Sequence, residues 1–279
     1  MAPHPLIIAT RPWSFPAAVV PVLLTAAIVH RSGEAWSGLE LLRALGLGLL
    51  VQAASNTGNT YWDFVNGADG ANVYSGADEG KVLKHKGVLV EGRTTPQAVL
   101  FLTMMLYAAS TCLLADRLVG SGVLAGVYAC GTLLSHFYTA DPIRLKYYAL
   151  GDLAIFVAFG PLLMICTAIL ISPAAVRAGV VGEVLTLGAP CSLVCECILH
   201  ANNSRDIGED RRNGLTTVAT LLGHDGSKVL FIALLTGAYA LPSAFAVHRG
   251  TYSLLLVLLS APIAADVVGR FSRDINRIA

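Results

Sequence analysis

Long apolar runs separated by short polar breaks dominate the chain. Eight stretches are long enough to cross a bilayer, near residues 14-30, 40-58, 97-115, 119-138, 148-171, 180-200, 228-247 and 252-269. A span needs about 20 mostly apolar residues, with a range of roughly 17 to 25. All eight are predicted to be helical, because lipid leaves an unpaired backbone group no partner. Pro16, Pro21, Pro161, Pro190, Pro242 and Pro262 fall within these stretches and predict kinks. Two of the polar breaks differ from the others. The runs ending near residues 58 and 200 are each followed directly by a cluster of Asn and Asp, and the connection from Phe64 to Pro96 is long.

Composition bears out an integral membrane reading: 55% of residues are hydrophobic and 13% charged, with a net charge of +1 and a mean hydropathy of +0.65. Acids match the basic residues in number, and no basic stripe interleaves with aromatics, which argues against a nucleic-acid partner. The six cysteines lie within apolar stretches without CxxC pairing and read as small buried hydrophobes. Arg11-Pro12-Trp13 interrupts the first apolar residues, and no small-residue cleavage site follows, so the first helix is expected to remain in the mature protein. Eight spans put the N-terminus, the C-terminus and the loops after spans two, four and six on one side. Of the 19 Lys and Arg residues only Arg31, Arg43, Arg117, Arg177 and Arg249 fall on the other. The positive-inside rule therefore places both polar clusters at the cytoplasmic face.

The first cluster runs Asn56-Thr57-Gly58-Asn59-Thr60-Tyr61-Trp62-Asp63 with Asp69 beyond, and the second runs Asn202-Asn203-Ser204-Arg205-Asp206 with Asp210 beyond. Asn59 and Asp63 are four residues apart, as are Asp206 and Asp210, so on a helix each pair shares a face. Four aspartates facing lipid would cost roughly 10 to 14 kcal/mol at mid-bilayer, less at its edge, so they are expected to face water, each other or an ion. Oxygen ligands arriving from two helix ends suit Mg²⁺, which binds through one or two carboxylates plus substrate phosphates. Interfacial polar residues at helix ends remain the simpler alternative.

Arg144, Lys146, Arg205, Arg211 and Arg212 could complement a diphosphate or merely follow the charge rule. Tyr138 could donate to a leaving oxygen or sit in an interfacial aromatic belt. Glu196 and His200, one turn apart, are expected to share a hydrogen bond that orients the second cluster. Asp152 raises the same question of an intramembrane acid, whereas Asp266 and Arg270 read as a structural ion pair.

At these residues the chain resembles the UbiA superfamily of membrane prenyltransferases, and within it the naphthoquinone-prenylating, UbiA-domain-containing branch of menaquinone biosynthesis. The likeness rests on Arg11-Pro12-Trp13-Ser14-Phe15, on Asn59 to Phe64 with Gly67 and Asp69, and on Tyr138-Thr139. It extends to Lys146-Tyr147 with Ala149 to Leu153, and to Glu196 through Asp210.

The resemblance implies an all-α, UbiA-like transmembrane bundle forming a single domain over 1-279, with cap loops near 64-96, 139-147 and 201-227. The family pattern has nine helices, against eight apolar stretches here. It implies Mg²⁺ held by Asn59, Asp63, Asn203, Asp206 and Asp210, and a polyprenyl diphosphate contacted by Lys146, Arg205 and Tyr138, with Asn56 and Asn202 also at the substrate. It further implies that Lys146 assists catalysis and that Asp69 acts as general base toward an aromatic acceptor. The expected reaction is prenyl transfer to a naphthoquinol or 1,4-dihydroxy-2-naphthoate, toward menaquinone or phylloquinone. Another aromatic acceptor (4-hydroxybenzoate or homogentisate), a transporter, and a non-catalytic lipid-sensing scaffold are the alternatives.

Overall fold

The computed structural model describes residues 3–68 and 87–278, and they are almost entirely helical. In chain order they form α1 (Pro5–Thr10), α2 (Pro16–Arg31), α3 (Gly38–Val65), α4 (Gly87–Val90), α5 (Pro96–Gly120), α6 (Gly122–Phe137) and α7 (Gly151–Val157). There follow α8 (Leu163–Ile171), α9 (Pro173–Arg177), α10 (Val181–Arg205), α11 (Ile207–Arg212), α12 (Val218–Arg249) and α13 (Ala261–Ile278). A π turn at Ala158–Leu162 joins α7 to α8, and a 3-10 run at Tyr252–Ser260 leads into α13. Among the described residues the only β pairing is a bridge between Tyr148 and Thr216.

Each predicted stretch lies in helix, but not all eight are simple spans. Among the described residues six helical segments are long and apolar enough to cross a membrane: Gly38–Val65, Pro96–Gly120, Gly151–Ile171, Val181–Arg205, Val218–Arg249 and Tyr252–Arg277. The first stretch is a bent pair, Pro5–Ser14 and Pro16–Arg31, meeting at 44°. The fourth, α6, has 16 residues, about 24 Å of helix against a hydrocarbon core of roughly 30 Å. By length and composition the count is therefore six, or seven with the bent pair, rather than eight.

Local chemistry sets the helix ends. The Ser37, Thr95 and Ser121 hydroxyls accept the backbone N–H three residues on, capping α3, α5 and α6, and Thr217 with Thr220 makes a capping box for α12. The kink expected at Pro161 takes the form of the π turn, because a proline has no N–H to donate and the helical ladder resumes around one extra residue. In α12 the non-helical residue is Gly223, at φ 68°, well before Pro242.

The core lies away from the polar clusters, where Val22 and Val29 of α2, Leu47 of α3, Leu114 of α5, Met164 and Ile171 of α8, and Val184 of α10 pack together. Large apolar side chains such as Leu42, Phe101, Val123 and Leu259 point outward, as lipid permits. At the end of α3 remote from the first cluster, Glu40 accepts from Arg43 (3.4 Å) and Arg117 (2.6 Å), clamping α3 to α5. Close backbone approach is needed at Gly160, where an added Cβ would overlap the Ser192 hydroxyl of α10. Gly160→Ala is expected to cost about 1–3 kcal/mol, and Ser192→Ala in the same chain should recover most of it, measured as thermal unfolding in detergent.

Candidate active site

α3 does not stop near residue 58 but continues through the first cluster to Val65, so Asn56, Asn59 and Asp63 line one helical face. Asn56 is buried, and its amide donates to Thr10 O and Ser14 Oγ, both at 2.9 Å. Gln52 Nε2 donates to the same Ser14 hydroxyl at 3.1 Å. Together these bonds hold the turn between α1 and α2 against α3, with Arg11 in the left-handed region at φ 50° and its guanidinium 3.4 Å from Thr60 Oγ1. Asn59 Oδ1 accepts from Thr139 Oγ1 at 2.8 Å. Asp63, buried, accepts from Lys146 Nζ at 2.8 Å and from the Tyr147 hydroxyl at 3.3 Å.

Lys146 and Tyr147 come from the loop between α6 and α7. Lys146 N donates to Tyr138 O at 2.9 Å, and Arg144 (φ 49°) and Ala149 (φ 57°) are both left-handed. Such conformations are uncommon for residues with a Cβ and persist where the surrounding structure enforces them. Burial, with the Asp63 charge alongside, pushes the Tyr147 phenol above its ordinary range, so at neutral pH it remains a donor.

The second cluster is likewise helical where the sequence suggests a loop. α10 runs through Arg205, Asp206 caps it, and Asp210 lies on α11 with its N–H 2.8 Å from Asp206 O. Asn203 and Asp210 are buried, whereas Asn202 and Arg205 are exposed. Adjacent helical residues point about 100° apart, so Asn202 and Asn203 cannot serve the same centre equally. Arg205 Nε and Nη2 donate to the two Asp206 carboxylate oxygens, each at 2.7 Å, the bidentate pairing that guanidinium geometry favours.

Hydrogen bonds tie the two clusters to one rim. Leu215 N donates to Asp210 O at 2.8 Å, and next to it Thr216 N donates to Tyr147 O at 3.2 Å while Thr216 O accepts from Ala149 N at 2.7 Å. Asn213 Nδ2 donates to Ala68 O at 2.9 Å, and Ala68 N donates to Asp63 O at 2.8 Å. Asp63 and Asp210, 147 positions apart in sequence, are thus joined through Tyr147 and Thr216 on one path and through Ala68 and Asn213 on another. Asp69 and the charged segment from Asp78 to Lys86 lie outside the described residues.

A cavity of about 100 Å³ opens between α2, α3, α6 and the α7–α8 segment, with Tyr138 in its wall. Its walls are largely apolar, with Leu47, Val51 and Phe159 among them, and Gln52, Ser135 and Tyr138 add polar groups. Tyr138 is buried, and the charged groups acting on it are Asp152, Asp63, Glu196 and Arg11. The cavity is thus mainly hydrophobic, and it borders the first cluster through Tyr138 and through Gln52, whose amide shares Ser14 Oγ with Asn56. The side chains of Asn59, Asp63, Asn203, Asp206 and Asp210 offer hard oxygens as ligand atoms, a set that fits magnesium.

A model of the UbiA prenyltransferase family matches residues 18–276. The chain belongs to this family. Its relatives include UbiA prenyltransferase domain-containing protein 1 of Xenopus tropicalis, 34% identical over 98% of this chain and 75% of that protein. The protein of the same name from Homo sapiens is 34% identical over 98% of this chain and 77% of its own length. In fold, the chain is similar to a UbiA homolog from Archaeoglobus fulgidus bound to GPP and Mg2+ (TM-score 0.65, 13% identity, 98% of this chain and 87% of that one). It is also similar to an apo UbiA homolog from Aeropyrum pernix K1 (TM-score 0.64, 19% identity, 99% and 94%). The chain is thus a multi-pass membrane prenyltransferase with the UbiA-like helical bundle.

Within this UbiA bundle, some groups at the rim are not evident from residue type alone. Thr139, Tyr147, Asn213 and Thr216 carry neither the charge nor the spacing of a ligand, yet they bind Asn59, Asp63, Ala68 and Tyr147. Thr139 and Tyr147 fall in the motifs Tyr138-Thr139 and Lys146-Tyr147 that carry the family resemblance, whereas Asn213 and Thr216 have no such signal. The expected Glu196–His200 hydrogen bond is not formed: His200 turns to α12, its Nε2 3.1 Å from Ser227 O, and both Glu196 oxygens lack a hydrogen-bond partner among the described residues. Asp266 and Arg270 do pair, at 2.8 Å.

Proposed function

We propose that this UbiA protein moves a polyprenyl group from an allylic diphosphate to a ring carbon of a naphthoquinol or of 1,4-dihydroxy-2-naphthoate, in the biosynthesis of a vitamin K-type quinone. The observation that carries this reading is the pair of hydrogen-bonded paths, through Tyr147 and Thr216 and through Ala68 and Asn213, that join the segments bearing Asp63 and Asp210 at one rim. The acceptor class rests on the likeness of the motif residues to the naphthoquinone-prenylating branch.

In this reading Asn59, Asp63, Asn203, Asp206 and Asp210 hold magnesium, whose chemistry when bound is to neutralise diphosphate charge and polarise the leaving oxygens. Lys146 and Arg205 stand already paired with Asp63 and Asp206. An incoming diphosphate offers both cations a new partner, and their charges then stabilise the oxyanion that develops as the allylic C–O bond breaks. Tyr138 lines the chamber just beneath and donates toward the leaving group or the acceptor. Asp69 takes the acceptor's hydroxyl proton, which makes the ring carbon more nucleophilic. The C–C bond then forms at the allylic carbon, the ring proton passes to solvent as aromaticity returns, Asp69 gives its proton back to the acceptor oxygen, and diphosphate departs. The apolar walls keep water from capturing the allylic cation first. The excess of basic residues on the motif side supports a site facing the cytoplasm.

Full-length protein purified in detergent, given Mg²⁺, a pool of prenyl diphosphates and a pool of aromatic acceptors, tests this by mass spectrometry of the products. Prenylated naphthoid product is expected. Product from 4-hydroxybenzoate or homogentisate alone would overturn the acceptor class, and no prenylated product at all would overturn the activity.

A further inference from the structure

We propose that Asp152, Glu196 and His200 form a second cation site, separate from the diphosphate site, that takes a zinc-class divalent transition metal. Asp152 projects from α7, and Glu196 and His200 from one turn of α10. One ligand atom from each lies within 4.8 Å of the others. Neighbouring ligands at a tetrahedral zinc, with bonds of about 2.0–2.2 Å, stand roughly 3.3–3.6 Å apart, so small side-chain rotations close the site.

The hydrogen-bond pattern points to an occupant. His200 is fully buried, and its Nε2 lies 3.1 Å from the carbonyl oxygen of Ser227. A carbonyl can only accept, so Nε2 carries the ring hydrogen, and in the neutral ring Nδ1 then presents a lone pair. That Nδ1 faces Asp152 Oδ1 at 3.8 Å, too long for a hydrogen bond. Glu196 is only 5% exposed. Neither of its oxygens, nor Asp152 Oδ1, nor His200 Nδ1, has a hydrogen-bond partner among the described residues. Four acceptor atoms thus converge, and a proton shared between the neighbouring Asp152 and Glu196 carboxyls is the one donor these two acids can supply between them. A buried carboxyl beside a half-buried one needs a shared proton or a shared cation between them, and the imidazole nitrogen facing the pair favours the cation.

The ligand set selects the metal class. Magnesium prefers oxygen ligands and retains its waters, whereas an imidazole nitrogen beside two carboxylates suits zinc and its neighbours. A metal-bound histidine commonly donates its other ring N–H to a backbone carbonyl, the role Ser227 O plays here from α12. A cation at this point would staple α7, α10 and α12. It would also sit beside Gly151, where an added Cβ would lie 3.3 Å from both the Tyr138 ring and the Lys146 backbone. The site would therefore fix the wall that carries two active-site residues.

The test uses full-length protein stripped with chelator, incubated with zinc chloride in excess magnesium chloride, desalted and assayed for metal by mass spectrometry. Wild type and Asp206→Asn are each expected to retain about one zinc per chain, and His200→Gln and Glu196→Gln at least about tenfold less. Wild type retaining under about a tenth of an equivalent would overturn the proposal, and protons would then satisfy the cluster. Zinc lost from Asp206→Asn but kept in His200→Gln would also overturn it, because the metal would then occupy the diphosphate site. Should the variants fail to fold, cobalt-loaded wild type decides: a spectrum with histidine nitrogen ligation is expected, and an all-oxygen spectrum is contrary. None of these readouts depends on prenyl transfer, so the proposed activity stands or falls separately.

Discussion

Asp206→Asn is expected to slow prenyl transfer about 10³-fold while leaving the helical fold intact. The substitution keeps the side chain's shape but removes one negative charge from the cluster proposed to hold a metal-bound diphosphate. Removing a single well-placed electrostatic contact from a developing oxyanion costs about 10²–10³ in rate, and here the Arg205 pairing, at 2.7 Å to each carboxylate oxygen, is lost as well. Stability should change little, because Arg205 is exposed and exposed ion pairs contribute at most about 1 kcal/mol. Initial rates and thermal melting of the same detergent preparation check both halves. A variant that keeps wild-type turnover would remove the second cluster from the chemistry.

Lys146→Met should damage both properties. Lys146 is 21% and Asp63 only 8% exposed at the side chain, and stripping one partner from a largely buried pair leaves the other charge uncompensated at a cost of about 3 kcal/mol. Transfer should fall by about 10²–10³ as the cation leaves the diphosphate mouth. Combining Lys146→Met with Asp63→Asn separates the two effects. Stability should return, because no lone carboxylate remains buried, and transfer should not. Full recovery of transfer in the double variant would make Lys146 a purely structural partner of Asp63.

Much of this was legible in the sequence, for physical reasons. Lipid forces helical spans, so the apolar runs marked where helices lie, and the Asn and Asp clusters that follow two of those runs marked a polar end of the bundle. Helix ends were less legible. α3 and α10 run into their polar clusters because Asn, Asp and Arg at the membrane edge face a hydrated mouth rather than lipid, so polarity there does not signal a break. α6 is shorter than the usual span, and the first stretch is bent at Pro16, which begins a new helix at its N1 position. The links among Thr139, Tyr147, Asn213 and Thr216 depend on how three loops fold over one another, and no local pattern encodes that. The partner of His200 was misjudged because one-turn spacing puts Glu196 and His200 on the same face without requiring that they bond. The Ser227 carbonyl, 27 residues away, was the better-placed acceptor.

The central claim is that acids from two remote segments grip one substrate group, and a double-mutant cycle on Asp63 and Asp206 tests it most directly. Steady-state kcat would be measured for wild type, Asp63→Asn, Asp206→Asn and the double variant under saturating Mg²⁺ and substrates. Groups that act as one unit fail together, so the double variant is predicted to be about as slow as the slower single variant. Losses that multiply, as they do for independent sites, would contradict the shared grip.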